Sequence, residues 1–222
     1  MAVITISRQY GSEGDEIATS VCQILGYQSF DKHLMTKVAA EVGLTEGEVV
    51  DFTEDQHRVR GFLDRLFGSP TPIVTQTHSW SEDRFGVRAQ DVKQIDAVDS
   101  IPLVQAVIRA AYKHDKVVIV GRGGQAVLRN DPGVLHVRIE APLETRIHRV
   151  QLREDLTYEL ARDVVAQRDR AAADYLKRFY NVDWADSLLY HLILNTSRWG
   201  IESASYLIVN AVNQLQPAVA LN

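Results

Sequence analysis

Apolar residues recur along this chain in short β-branched runs, and between the runs they recur at helical spacing. The runs predict strands near 2–6, 27–30, 116–120 (KVVIV), 134–139 (VLHVRI) and 191–195 (HLILN). After the first run, Ile17, Val21, Ile24 and Leu25 share one helix face, and Gly26 ends that helix in the way glycine commonly does. A second helix is expected over about 32–42, with Leu34, Met35, Val38, Ala39 and Val42 as its stripe and Gly43 at its end. Thr45 and Glu48 form a capping box that opens a third. Ser100 is expected to cap the helix bearing Val104, Val107, Ile108 and Ala111, Pro142 suits the first turn of the next, and Thr157 caps another. Residues 201–214 close the chain as a helix. Strands alternating with helices are the pattern of an α/β protein, a parallel sheet covered on both faces.

Residues 51–99 break this rhythm. They mix charges with Phe52, Phe62, Phe67, Trp80 and Phe85 and contain the turn-forming GSPTP at 68–72. A stretch of that length between a helix and a sheet strand reads as a functional insertion or cover. For Trp80 and Phe85, burial under the insertion and stacking on a base are both open readings.

The composition narrows the class. With 222 residues, 45% hydrophobic and 24% charged, the chain can bury the core of one domain with an elaboration. A formal charge of −5 argues against general affinity for nucleic acid or an anionic membrane, so an anion site has to be local. Cys22 is the single cysteine; on the first helix it is expected to be buried and inert. No apolar run approaches the roughly 20 residues that span a bilayer, and no leader opens the chain, which predicts a cytoplasmic protein.

The stretch AVITISRQYGSEGDEI at 2–17 joins an apolar strand to a helix through a loop holding Gly11 and Gly14. Such a loop lets backbone amides from about Tyr10 to Glu16 converge on an anion at the positive end of the helix dipole. The same glycines also suit a plain strand-to-helix turn. The usual lysine of GxxxxGK is missing, and Asp15 and Glu16 follow the second glycine. Arg8 stands at the mouth of the loop, where a guanidinium supplies a bidentate phosphate charge or else a surface ion pair. Gly121-Arg122-Gly123-Gly124 follows the KVVIV strand directly, at the end of a parallel sheet where ligands collect, although Arg122 also suits a carboxylate partner. Arg146, Arg149 and Arg153 share a helix face, and Arg162, Arg168 and Arg170 follow on the next helix. Positioned arginines stabilise a transferring phosphoryl group. Charged helix faces are also often simply solvated.

The segments ITISRQYGSEGDEIA, FDKHLM, VVIVGRGGQAVL, VLHVRIEAPLETRIHR, QRDRAAADYLKRFY and LYHLILNTS resemble the cytidylate-kinase-like family, and only about 51–99 matches poorly. The resemblance implies a three-layer α/β sandwich of the P-loop nucleoside monophosphate kinase type. It would hold a five-stranded parallel sheet, an acceptor-binding insertion at about 51–99 and an arginine-bearing lid at about 150–172. Residues 1–222 would form one domain with its core in 1–50 and 100–222. It further implies phosphoryl transfer from ATP with magnesium (Mg2+) to CMP or a similar nucleotide.

By position, Tyr10, Gly11, Ser12, Glu13, Gly14, Asp15 and Glu16 would hold the donor, and Arg8 would act with them. Asp31, Lys32, Arg122, Gly123 and Arg146 would hold the acceptor. Arg149, Arg168 and Asp169 would close over the transferring group, and Tyr175 matches a family tyrosine downstream of the lid. No metal ligand is assigned. The implied partner is a CMP-like nucleotide, with a homodimer left open. True cytidylate kinases keep a lysine and a hydroxyl residue where this chain has Gly14 and Glu16, and the family it resembles commonly has glycine and arginine where this chain has Glu13 and Asp15, and a further arginine where it has Ala172. Three acids in a phosphate loop motivate a second reading, a catalytically impaired protein that binds a nucleotide or another phosphorylated ligand. A phosphotransferase for some other small acceptor is a third.

Overall fold

The computed structural model describes residues 2–30, 80–82, 88–90 and 97–215. The helix expected over about 32–42, the Thr45 and Glu48 capping box, Asp31, Lys32 and most of 51–99 lie outside the described residues. The chain divides into two compact units, one of residues 1–30 and 111–222 and one of residues 31–110.

In the first unit, strands β1 (Val3–Arg8), β2 (Gln28–Ser29), β5 (Val117–Val120), β6 (Val134–Glu140) and β7 (Leu192–Asn195) form one sheet. Its order is β2-β5-β1-β6-β7, and every pairing is parallel. β1 lies at the centre, with Ile4 opposite both Val118 and Leu135. The second unit contributes the antiparallel pair β3 (Trp80–Glu82) and β4 (Arg88–Gln90). Helix α2 spans Ala97–His114 and starts before Ser100, so Ser100 lies inside its first turns rather than at its cap. Its buried Val104, Val107, Ile108 and Ala111 are the stripe that the sequence predicts.

The two faces of the sheet differ in chemistry. On one face, Ile4, Ile6, Leu135, Val137, Ile139 and Leu194 form a core cluster with Ile17 and Val21 of α1 (Gly14–Leu25) and with Ala204, Ile208 and Val212 of α6 (Ile201–Asn213). Truncating Ile4 or Ile208 to alanine there would cost about 2–5 kcal/mol. Cys22 is half-buried against this cluster, not fully buried as expected. On the other face the alternate positions of β1 and β6 are polar and buried: Thr5, Ser7, His136 and Arg138. Each has a partner, as buried polar groups must. Thr5 Oγ1 and His136 Nδ1 are hydrogen-bonded at 2.7 Å. Trp184 Nε1 donates to Ser7 Oγ at 2.8 Å, and Arg138 donates to Glu140 and to the carbonyl of Trp184 while its guanidinium lies over the Trp184 ring.

Past β6, α4 (Leu143–Glu154) and α5 (Tyr158–Tyr180) form a packed helical pair over the segment expected to be a lid. Pro142 is the residue just before α4. Thr157 caps α5 through its side chain, which accepts from the Leu160 amide. Ile147 and Val150 of α4 meet Ala161 and Val165 of α5, with Tyr10 packed on the same cluster. Short α3 (Gly124–Val127) follows β5, with Gly124 against Thr5 and Ile119. No helix among the described residues is long and apolar enough to cross a membrane.

Candidate functional site

The carboxyl ends of β1, β5, β6 and β7 carry loops to one edge of the sheet, where open parallel sheets bind ligands. β1 runs two residues further than expected and includes Arg8. Residues 9–13 then turn onto α1, whose capping residue Glu13 has φ 65° and makes no side-chain cap. The first intrahelical bond runs from Ile17 N to the Glu13 carbonyl. The amides of Gly14, Asp15 and Glu16 therefore have no helical acceptor, and they sit at the positive end of the α1 dipole. This donor set fits an anion such as a nucleotide phosphate.

Not every loop amide is directed at that spot. Tyr10 N donates to Asp169 Oδ1 at 2.9 Å and Ser12 N to the Gln9 carbonyl at 3.2 Å. The Ser12 hydroxyl is fully buried and donates to the Gln9 carbonyl at 2.7 Å, so it braces the loop from within. Gly11 takes φ 79°, and a β-carbon on it would fall 2.8 Å from the Arg146 carbonyl, so only glycine suits this turn.

Arg8 occupies the space above the loop. A β-carbon at Gly14 would lie 2.5 Å from Arg8 Cβ and 2.8 Å from Arg8 Cγ, and one at Gly121 would lie 2.8 Å from Arg8 Nη1. The arginine thus reaches from β1 across Gly14 to the turn after β5. Its Nε donates to Asp15 at 3.0 Å.

The other two loop acids are also ion-paired. Glu13 lies 2.8 Å from Arg149 Nη2, and Glu16 lies 3.8 Å from Arg153 Nη1. Arg149 is further held by Thr196, whose hydroxyl and carbonyl both accept from it at 2.9 Å. The Thr196 hydroxyl in turn donates to the Ser12 carbonyl at 2.8 Å, tying the end of β7 to the loop. Each acid that the sequence set against phosphate binding is thus matched by its own guanidinium.

Arg146 and Asp169 are braces rather than exposed lid groups. Arg146 is almost fully buried and donates to the Ala141 carbonyl at 2.9 Å, the Tyr10 carbonyl at 3.1 Å and Asp169 Oδ2 at 2.6 Å. Both carboxylate oxygens of Asp169 are engaged within the protein. Arg168 lies over the Tyr10 ring at 5.4 Å and Arg153 over the same ring at 5.1 Å. The Tyr10 hydroxyl donates to Glu154 Oε1 at 2.5 Å. Burial, and then the bond to Glu154, pushes the Tyr10 phenol up and keeps it neutral. Burial works against ionised Glu154, but the donors from Tyr10 and Arg153 outweigh it and hold the carboxyl below its usual range.

After β5, Arg122 has φ 55° and donates through Nη1 to the Phe30 carbonyl at 3.4 Å, with its guanidinium over the Phe30 ring. The glycines beside it were expected to admit a ligand. Instead the Tyr180 ring fills the face of Gly123, 2.6 Å from where a β-carbon would sit. Tyr175 stands next to this ring, its phenol pushed well up by burial. Among the described residues no cluster of three or more His, Cys, Asp or Glu side chains is arranged to hold a metal ion.

Sequence reasoning missed Thr196, Glu154, Gln9 and Tyr180. Thr196 carried a signal, its place at the carboxyl end of the last strand, where site residues gather in such sheets. Gln9, whose Oε1 accepts from Ala141 N, carried none.

A parallel sheet whose central strand runs through a glycine loop onto a free helix N-terminus defines the P-loop kinase type of fold. The profile of the cytidylate kinase-like family matches residues 3–198, and the chain belongs to that family. It is 26% identical over 218 residues to the cytidylate kinase of Natronomonas pharaonis, covering 97% of this chain and 91% of that one. It is 28% identical over 107 residues to the cytidylate kinase of Methanoregula boonei, a match that spans 48% of this chain and 58% of the other. Among solved structures, an uncharacterised protein from Eubacterium ventriosum superimposes with a TM-score of 0.63 at 16% identity, covering 96% of this chain and 99% of that one.

Proposed function

We propose that the protein is a nucleoside monophosphate kinase that moves the γ-phosphoryl group of ATP to CMP or a similar nucleotide, working in the cytoplasm. The observation that carries this reading is the stem of Arg8 beside Gly14, in the space that a side chain at the loop-lysine position would enter. An arginine from β1 thereby supplies the cation that the loop itself lacks. It is always charged, and its fork matches two phosphate oxygens.

In this reading the amides of Gly14, Asp15 and Glu16 bind the donor phosphates, and Arg8 exchanges Asp15 for them. Arg149 and Arg153 release Glu13 and Glu16 in the same manner, so the loop carboxylates hold the guanidinium groups ready until phosphate arrives. Arg122 fixes the acceptor. An acceptor phosphate oxygen forms the new bond to the γ-phosphorus as the bond to the bridging oxygen of ADP breaks, and ADP leaves with that electron pair. The protein contributes position and charge. Magnesium would arrive with ATP rather than be held by a protein cluster, since the described residues offer no group of three or more His, Cys, Asp or Glu side chains for it, and it would offset negative charge on the donor phosphates.

A second reading, binding without transfer, is favoured by the lysine-free loop and its three carboxylates. The two are separated by ADP release from ATP and magnesium with CMP, dCMP, UMP, AMP and GMP. Turnover with one acceptor supports the kinase and names its substrate. Tight donor binding without turnover on any of the five supports the binding protein.

A further inference from the structure

We propose that Tyr10 is a positioning residue whose ring presents Arg153 and Arg168 to the phosphoryl group held by the loop. This rests on the kinase reading in one respect, that the loop receives a phosphoryl donor. Arg153 comes from the last turn of α4 and Arg168 from the middle of α5, and Tyr10 is the loop residue that both guanidinium groups approach, at 5.1 and 5.4 Å from its ring centre. Two cations drawn to one point need a negative surface between them, which the face of an aromatic ring supplies.

Tyr10 is fixed at three places. Its amide donates to Asp169, its carbonyl accepts from Arg146, and its hydroxyl donates to Glu154. Glu154 Oε1 also accepts from Arg153 at 2.9 Å, so the carboxylate that holds the phenol steadies one of the two arginines as well. Burial keeps the phenol neutral, which preserves it as the donor in that bond. Arg168, by contrast, has no carboxylate within ion-pair distance among the described residues; it lies over the Tyr10 ring and feels Glu154 only at longer range. An arginine held by a ring face keeps its full charge for an incoming anion, and one held by a carboxylate must first give that partner up. The arrangement therefore pre-orients one cation without a carboxylate in direct contact, next to the loop whose Gly14, Asp15 and Glu16 amides have no helical acceptor. A ring is needed for this; an aliphatic side chain of equal bulk would fill the space and attract neither guanidinium.

Wild type, Tyr10→Phe and Tyr10→Leu are to be compared in steady-state ADP release with ATP, magnesium and the best acceptor of the five. In the same proteins the arginine side-chain N–H resonances are to be followed by NMR. Tyr10→Phe keeps the ring but loses the bond to Glu154, so its kcat should fall clearly less than that of Tyr10→Leu, which should lower kcat about tenfold with KM for ATP unchanged. The ring-current shifts of Arg153 and Arg168 should survive in Tyr10→Phe and vanish in Tyr10→Leu. If Tyr10→Leu melts early, Tyr10→Met carries the same comparison at similar volume. Wild-type kcat in the ringless variant, equal damage in Tyr10→Phe and Tyr10→Leu, or a change in KM alone would overturn the proposal. Absence of turnover in wild type would refute the kinase reading separately, and the proposal would then fall if wild type showed no ring-current shift or if the ringless variant kept it.

Discussion

Arg8 and Gly14 share one small volume: the β- and γ-carbons of the arginine lie 2.5 and 2.8 Å from where a side chain at position 14 would begin. The glycine is the condition for the arginine. Neither residue reveals this alone, because Arg8 stands on the strand and Gly14 on the helix, with the whole loop between them.

Substitution of Gly14 by alanine should therefore overpack the loop. The clash falls on the stem of Arg8, which cannot swing aside as a flexible tip would, and the expected loss of stability is about 1–3 kcal/mol. In an Arg8→Gly background the same alanine should cost much less. Urea unfolding of the two single variants and the double variant measures the coupling.

The Arg146 and Asp169 pair holds α4, α5 and the loop at one point. Removing the carboxylate in Asp169→Ala leaves a buried guanidinium without its counter-ion and the Tyr10 amide without its acceptor. The expected cost is about 3–5 kcal/mol, as for other broken buried pairs. A change within about 1 kcal/mol of wild type, typical of exposed pairs, would contradict the brace.

His136 gives the fold a pH dependence. Burial, and then the neighbouring His191, pushes its imidazole down from 6.5 to about 4. The folded state therefore favours neutral imidazole, and the unfolded chain binds the extra proton between those values. The His136 contribution is fully present above pH 6.5 and is lost as pH falls toward about 4, by up to about 3 kcal/mol. Chemical unfolding across pH 4–7 should trace this loss, and His136→Gln should flatten it.

Glu13 and Glu16 compete with phosphate for Arg149 and Arg153 in the mechanism proposed above. Neutralising either acid as glutamine should strengthen tripolyphosphate binding by about two- to fivefold, the scale of a partly exposed ion pair, and more at low salt than at high salt. Titration calorimetry reads this directly. Weaker binding in both variants would mean that the carboxylates support the loop instead of guarding it.

Much of the architecture was legible in the chain. Val117–Ile119 and Val134–Ile139 are buried on both faces, as central parallel strands must be; a continuous apolar run marks the first, whereas the second alternates apolar residues with the buried polar His136 and Arg138. Gly26 and Thr157 end and begin helices by local geometry that a sequence carries on its own. The site was only half legible. Helical spacing put Arg146, Arg149 and Arg153 on one face but did not reveal that Arg146 turns under the loop and is buried, because that depends on where α5 brings Asp169. The three loop acids read as a defect for the same reason. Their partners lie on β1 and α4, and only the fold pairs Asp15 with Arg8, Glu13 with Arg149 and Glu16 with Arg153.

The most direct test is kcat/KM for ATP in wild type, Arg8→Ala and Arg8→Lys with the preferred acceptor. If Arg8 supplies the charge that the loop lacks, Arg8→Ala should lose about 100-fold or more, the scale of removing one preorganised donor from a developing phosphoryl charge, and Arg8→Lys should recover part of it. Wild-type kcat/KM in Arg8→Ala would contradict the claim and reduce Arg8 to a surface partner of Asp15.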